Sequence, residues 1–321
     1  MSLDGLAFRL TSAARISPIK RSVAEADDKA AIVPNIACKS ADDAVCPICR
    51  AGRFRRLYSK NGRDIARCSH CGVGRTEEAD FDPASYYTAA YFEGGHHDGY
   101  ADYGESAEVL AEEFGKALTR LLAVAPTGGS LLEIGCAYGY FLKLAAQHWK
   151  VHGLEISADA VAQCQAQGLT SVRRGAADHS ALSQLEPLQA VVMLDVIEHL
   201  ADPVGVLADC RDKLAPGGVL MLSTGDFASP LARLMGRNWR LMTPPQHLWF
   251  FTPAGFRALA QSQGWEVVQL THPGKRVPLS LIDYQLRRIL RLQPRSLPGW
   301  ARVGIPLNLH DAMLLVLRKP A

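Results

Sequence analysis

The sequence predicts an α/β fold: a doubly wound, mostly parallel seven-stranded sheet carrying a small N-terminal cysteine module. Three observations predict it. From residue 131 onward, short apolar runs alternate with amphipathic stretches, the pattern of strands joined by crossover helices. The run Leu131-Leu132-Glu133-Ile134 breaks at Gly135-Cys136-Ala137-Tyr138-Gly139, a buried strand turning through glycines into a helix, which lets a ligand approach bare backbone. Glu155 stands in the next apolar run, Val151 to Ile156, where a carboxylate can accept hydrogen bonds from both hydroxyls of a ribose. Together these point to a nucleoside cofactor.

Composition bounds the remaining classes. A chain of 321 residues with 48% hydrophobic content can bury a full core in one large domain plus a small satellite, which excludes global disorder. A net charge of +3 is too small for the basic footprint of a nucleic-acid protein. No apolar run reaches the roughly 18 residues that cross a bilayer, and the start lacks an apolar signal core. A cytoplasmic protein is expected. Residues 1–40, with Arg9, Arg15, Lys20 and Arg21 against Asp4, are expected to form a disordered tail.

Residues 41–78 contain the cysteine module. Cys46-Pro47-Ile48-Cys49 and Cys68-Ser69-His70-Cys71 stand eighteen residues apart, the spacing of a closed tetrahedral zinc site. Each pair can hold two thiolates on one ion, and the segment between them can form a hairpin turned at Asn61-Gly62. The expected result resembles a zinc ribbon, with structural Zn2+ on Cys46, Cys49, Cys68 and Cys71. A redox role fits less well, because neither pair opens a helix in a βαβ pattern. Four thiolates leave no open position for catalysis. Arg50, Arg53, Arg55, Arg56, Arg63 and Arg67 read as a solvated basic face, or as a phosphate-binding one.

Residues 79–128 form a tyrosine-rich cap and a helix. Tyr86, Tyr87, Tyr91, Phe92, Tyr100 and Tyr103 can cover a cofactor and offer aromatic faces to a cation. His96 and His97 have no spaced partner for a metal. The periodicity of Val109, Leu110, Phe114, Leu118, Leu121 and Leu122 predicts a helix over 106–124. The catalytic domain, 129–321, follows with strands expected over 131–134, 151–156, 169–173, 190–194, 219–223, 265–271 and 311–318, the last one antiparallel. Helices are expected over 140–148, 158–167, 203–214 and 253–263, with Asp202 capping the third. An insertion near 273–308 carries an amphipathic stretch from Leu279 to Leu292 flanked by Arg287, Arg288 and Arg291. It reads as packing on the sheet edge or as a transient membrane-surface contact, without stable anchoring.

Ala137 stands where a G-x-G-x-x-G fingerprint wants glycine, which disfavours a pyrophosphate ligand. The ordered set Glu133-x-Gly135-x-Ala137-x-Gly139, Glu155, Asp195-Val196-Ile197-Glu198-His199-Leu200 and Leu214-Ala215-Pro216-Gly217-Gly218 resembles a class I S-adenosylmethionine-dependent methyltransferase. The resemblance covers about residues 81–321. It implies a Rossmann-like methyltransferase fold and S-adenosylmethionine as cofactor, held by Glu133, Gly135, Ala137, Gly139, Glu155, Asp178, Leu194 and Asp195. Ala137 departs from the commoner glycine, and Ala176 occupies a place where relatives often carry the adenine-binding acid.

Asp195-x-x-Glu198-His199 resembles the segment that binds magnesium in some O-methyltransferases of ubiquinone synthesis and in small-RNA 2′-O-methyltransferases, where His247 matches a further ligand. Asp195 is shorter than the usual glutamate. The resemblance implies either a Mg2+ site here or a metal-free site with His247 as general base, so His247, Asp195 and His199 are the catalytic candidates. The segment Gly236 to Met242 stands where the family inserts a substrate-facing lid.

The expected activity is O-methylation of a small-molecule or saccharide hydroxyl. Sugar C-methylation, ribosomal RNA methylation using the ribbon, and a non-catalytic cofactor-binding module are the alternatives. The oligomeric state stays open.

Overall fold

The computed structural model describes residues 44–77, 81–93, 103–104, 106–289, 292–293 and 299–321. The expectations for the tail 1–40, for His96, His97 and Tyr100, and for Arg291 lie outside the described residues.

The ribbon opens with β1 (Phe54–Lys60) and β2 (Arg63–Cys68), an antiparallel pair closed by Lys60 opposite Arg63. Asn61 and Gly62 turn it with φ of 50° and 73°, the left-handed pair that a two-residue hairpin requires. β3 (Gly74–Thr76) adds a third strand, and the cap follows as α1 (Pro83–Tyr86), α2 (Ala89–Phe92) and α3 (Ala107–Leu122). The alternating part then runs β4 (Ser130–Ile134), α4 (Tyr140–Ala145), β5 (Lys150–Glu155), α5 (Ala158–Ala166), β6 (Val172–Arg174), α6 (His179–Ser183), β7 (Leu188–Leu194), α7 (Pro203–Lys213) and β8 (Leu214–Gly225). After β8 come α8 (Pro230–Met235), β9 (Trp249–Phe250), α9 (Pro253–Gln263), β10 (Glu266–Thr271), β11 (Lys275–Pro278), α10 (Leu279–Ile289), β12 (Gly304–Leu307) and β13 (Ala312–Arg318).

Seven strands form the central sheet in the order β10-β13-β8-β7-β4-β5-β6. β4 through β8 are parallel, and β13 runs antiparallel between β8 and β10. Reversal of strand order beside β4 opens a crevice at the carboxyl ends of the parallel strands, where such sheets bind ligands. Both faces are covered. On β7, Val191 and Met193 join one apolar layer with Leu132, Leu220, Leu207 and Phe256. Ala190 and Val192 join the other with Leu131, Phe141 and Leu121. The period of two sends alternate residues to opposite helical layers, which is why these strands read as continuous apolar runs. Each fully buried large aliphatic side chain contributes about 1.5–3 kcal/mol.

Two strands differ from the sequence expectation. The third begins at Val172, three residues late, because Leu169 ends the turn after α5 and its N–H bonds to the Cys164 carbonyl. The fifth begins at Leu214, five residues before the expected start at 219, and runs through Pro216-Gly217-Gly218. Leu214 pairs with Leu188, and the Gly217 N–H donates to Lys319. Asp202 caps α7 through the Gly205 N–H, as expected.

The ribbon shares its sheet with the downstream chain. Its strand order is β1-β2-β3-β9, so the fourth strand comes from Trp249–Phe250, paired with Arg75 and Gly74. Ile48, Phe54 and Val73 of the ribbon belong to the same apolar layer as Phe251 and Phe256.

Candidate functional site

The glycine turn lies at the carboxyl end of β4. Gly135, Ala137 and Gly139 have φ of 71°, 45° and 72°. A Cβ at Gly135 would meet Val196 Cγ2 at 2.5 Å, so conformation and packing both demand glycine there. Ala137 pays about 1 kcal/mol for its left-handed backbone. Two bonds hold it: its N–H donates to Glu155 Oε2 at 2.8 Å, and its carbonyl accepts from Cys164 Sγ at 3.1 Å.

Glu155 ends β5 facing this turn, with Oε1 accepting from the Ser157 N–H at 2.9 Å. Burial raises its carboxyl, opposed by those backbone donors. Two N–H bonds use about half of a carboxylate's lone-pair positions, and the rest suit two ribose hydroxyls. Glu133 is buried behind the turn. Its Oε2 has no partner among the described residues, and burial pushes its pKa well above the usual carboxylate range, helped by Cys164 and Glu155. Asp178 caps α6 by accepting from the Ala181 N–H at 2.8 Å. Over the turn sits the aromatic cap: Phe92 lies 5.0 Å from Tyr138, and Tyr103 stacks on Tyr140 at 5.4 Å.

At the end of β7, Leu194 is partly buried and Asp195 is exposed with φ 57°. Asp195 accepts from Ser223 Oγ at 2.7 Å and from Lys275 Nζ at 2.8 Å. The Lys275 ammonium and the Ser223 hydroxyl hold its carboxyl down, at about 2.

A short helical turn then brings Glu198 and His199 to His247. The His199 Nδ1–H donates to the Gln246 carbonyl at 2.8 Å, with Tyr87 Oη 3.0 Å from the same nitrogen. The His247 Nδ1–H donates to the Leu241 carbonyl at 2.8 Å. A carbonyl only accepts, so both rings carry their proton on Nδ1 and present an Nε2 lone pair. The ring centroids are 4.6 Å apart. Burial lowers His199 to about 4; burial and the His199 ring lower His247 to about 3. Glu198 is buried with Oε2 unpartnered among the described residues, while the neighbouring Thr224 hydroxyl favours its ionised form. Burial and then Asp195 push it up to about 8. One ligand atom from each of Glu198, His199 and His247 lies within 4.8 Å of the others. Asp195, expected beside them, is instead committed to Ser223 and Lys275.

The His247 segment is held from two sides. Thr76 of β3 donates its hydroxyl to the His247 carbonyl at 2.7 Å and its N–H to Leu248 at 2.9 Å. The Leu248 N–H donates to the Glu198 carbonyl at 2.8 Å. Upstream, the expected lid is pinned: Trp239 Nε1 and the Arg240 guanidinium both donate to Asp311, at 2.8–2.9 Å. Trp239 and Met242 are buried with Ile65, Phe227 and Phe250, so the apolar side chains of this segment serve packing.

In the ribbon, Cys46 and Cys71 have their sulfurs 3.8 Å apart, and Cys49 and Cys68 theirs 3.6 Å apart. A tetrahedral ion with Zn–S of about 2.3 Å has edges of about 3.8 Å, so the four sulfurs fit Zn2+. Three of the ribbon's arginines are turned inward or paired, while Arg50, Arg53 and Arg55 are exposed. Arg75 lies 4.4 Å over Phe54 and bonds to Glu77, Arg67 lies 5.6 Å over Phe227, and Arg56 pairs with Asp64 at 2.7 Å. Sequence reading missed the polar end of β8, Ser223-Thr224-Gly225-Asp226, and with it Lys275 and His272. The available signal was the abrupt change from an apolar run to four small or polar residues at a strand's carboxyl end.

Residues 106–270 match the family described as Methyltransferase domain. The ubiquinone biosynthesis O-methyltransferase of Cereibacter sphaeroides is 31% identical over 173 residues, covering 50% of this chain and 68% of the relative. That of Xylella fastidiosa is 26% identical over 150 residues, covering 43% and 61%. A solved methyltransferase from Archaeoglobus fulgidus superposes with a TM-score of 0.48 at 18% identity, covering 71% of this chain and 98% of its own. With the sheet, the glycine turn and the rim acid in place, the chain belongs to the class I S-adenosylmethionine-dependent methyltransferases, and it carries an N-terminal four-cysteine ribbon. It is an enzyme that takes S-adenosylmethionine.

Proposed function

We propose that this methyltransferase acts on a hydroxyl of a small molecule or saccharide, at a site where Glu198, His199 and His247 hold a divalent cation. The observation that carries the reading is the convergence of one unpartnered buried carboxylate oxygen and two imidazole lone pairs. Buried polar atoms without a partner are rare, and an ion would satisfy all three. Backbone carbonyls fix both ring tautomers, the usual outer support of metal-bound histidine. Two imidazoles and a carboxylate suit an ion such as Mn2+ better than Mg2+, which prefers oxygen donors.

S-adenosylmethionine, when bound, supplies an electrophilic methyl group. Gly135, Ala137 and Gly139 would line its amino-acid part, Glu155 its ribose, and Asp178, Leu194 and Asp195 the adenine and the reacting end. A bound cation would acidify an acceptor hydroxyl. His247 serves as a ligand in this reading, because an imidazole at about 3 is too weak to be a base near neutral pH. Cys46, Cys49, Cys68 and Cys71 would hold structural Zn2+. The names of the matched relatives support a hydroxyl acceptor.

Incubation of labelled donor with fractionated cell extract is expected to place label in small molecules or glycans. Mild chelation that leaves the four-thiolate zinc in place should stop transfer, and Mn2+ should restore it. His247→Ala is expected to keep donor affinity and to lose transfer at least 100-fold. Turnover equal to the parent's in that variant removes His247 from the site.

A further inference from the structure

The end of β8 organises more than the ligand group. Ser223 bonds to Asp195, Thr224 lies beside Glu198, and Asp226, two residues beyond Thr224, bonds to His272. We propose that the Asp226–His272 pair is the base that takes the proton from the acceptor hydroxyl, an assignment that rests on the O-methylation reading above.

The geometry is that of an oriented imidazole. His272 Nε2 lies 2.8 Å from Asp226 Oδ2. The carboxylate is itself fixed: Oδ1 accepts from the Ala228 N–H at 2.8 Å, and the Asp226 N–H donates to the Asp311 carbonyl at 2.9 Å. Its side chain is only 7% exposed, against 27% for the imidazole. A carboxylate accepts, so the ring proton sits on Nε2 and the Nδ1 lone pair is the reactive one. No described residue bonds to Nδ1. Asn308 holds the His272 backbone by donating to its carbonyl at 3.1 Å.

Position supports the assignment as well. β10 is parallel to β8 across β13, so His272, just past Thr271, emerges at the same carboxyl rim as the ligand group. Thr224 and Asp226 are about 7 Å apart along the chain direction, which sets the Glu198 site and the His272 pair side by side. Three residues after His272, Lys275 reaches back to Asp195 at 2.8 Å. The segment 272–275 therefore crosses the rim between Asp226 and Asp195. The other charges around it are already paired: Asp311 with Arg240 and Lys275 with Asp195. His199 and His247 have each committed Nδ1 to a carbonyl and aim Nε2 at the ligand group, so neither supplies this function.

The step balances simply. The acceptor's oxygen–carbon bond forms as the donor's sulfur–carbon bond breaks, the electron pair returns to sulfur, and the hydroxyl proton moves to His272 Nδ1. Asp226 then faces an imidazolium, which it stabilises without taking the proton.

The test has two arms. S-adenosylmethionine and S-adenosylhomocysteine differ only in the methyl cation, so ring-selective NMR of His272 in the full-length protein should show distinct resonances for the two complexes. Identical resonances place the ring away from the methyl group and overturn the proposal; failure of both ligands to bind would instead sink the cofactor reading. In the second arm, with 3,4-dihydroxybenzoate as the hydroxyl probe, His272→Ala and the volume-keeping His272→Gln should each lower kcat about 100-fold with unchanged donor Kd. The loss should shrink at alkaline pH, where the probe ionises unaided. Variants within twofold of the parent at neutral pH overturn the base assignment. The NMR arm reads whether or not this probe is turned over.

Discussion

Glu155 holds the glycine turn, and the ribose role proposed for it can be tested separately. Its oxygens hold the N–H groups of Ala137 and Ser157, and the proposed ribose contact would use its remaining lone pairs. Glu155→Gln should therefore raise the donor Kd at least tenfold, about 1.4 kcal/mol, as read by calorimetry. An unchanged Kd would separate this residue from the cofactor. Asp311 is a second informative residue. Burial pushes its carboxyl up, but the Arg240 guanidinium and the Trp239 N–H win and hold it below the usual range. The stability it contributes is present above the unfolded value of about 3.9 and is lost as pH falls through the lower folded value. Asp311→Asn should cost about 2–3 kcal/mol at neutral pH and flatten the acid limb of a denaturation-versus-pH curve. Of these residues, Glu155 was legible in the sequence, because a strand and a glycine turn announce it locally. Asp311, Asp226 and His272 were not. Their partners lie 72 and 46 positions away, and an isolated acid or histidine carries no periodic signal.

At the level of elements, the parallel strands were legible because both faces are buried and each reads as an apolar run. β8 was read too short, since the glycines that usually stop a strand here follow its irregular start at Leu214. The pairing of β3 with β9 had no sequence signature: two residues, Trp249 and Phe250, do not reveal which edge they join. This pairing makes the ribbon a support for the histidine segment. Removing zinc, or changing Cys68→Ser, should lower hydrogen-exchange protection over residues 247–250 while leaving the glycine turn protected. Equal protection with and without zinc would show that the two are energetically separate. Thr76 is the element's nearest contact with the site, and its 2.7 Å bond to the His247 carbonyl is the route by which the ribbon would act.

For the molecule as a whole, alternation of strands and helices was enough to anticipate the sheet, its antiparallel last strand and the crevice. It did not show how the ribbon, the pinned segment around Trp239 and the chain just past β8 would meet. They do so around Ile65, Phe227, Trp239 and Phe250, four aromatic or branched side chains contributed by distant stretches. No helix among the described residues is long and apolar enough to cross a membrane.

The borrowed strand also bears on how the chain is made. Thr76 leaves the ribosome 171 residues ahead of His247, so during synthesis the N-terminal module waits with an open edge for its last strand. Domains generally assemble in order of emergence, but here a module that appears ahead of the central sheet is finished only after most of that sheet's strands have been made. An unprotected edge of this kind invites wrong pairing, and early capture of a metal ion by the four thiols would keep the nascent hairpin in register until translation reaches Trp249.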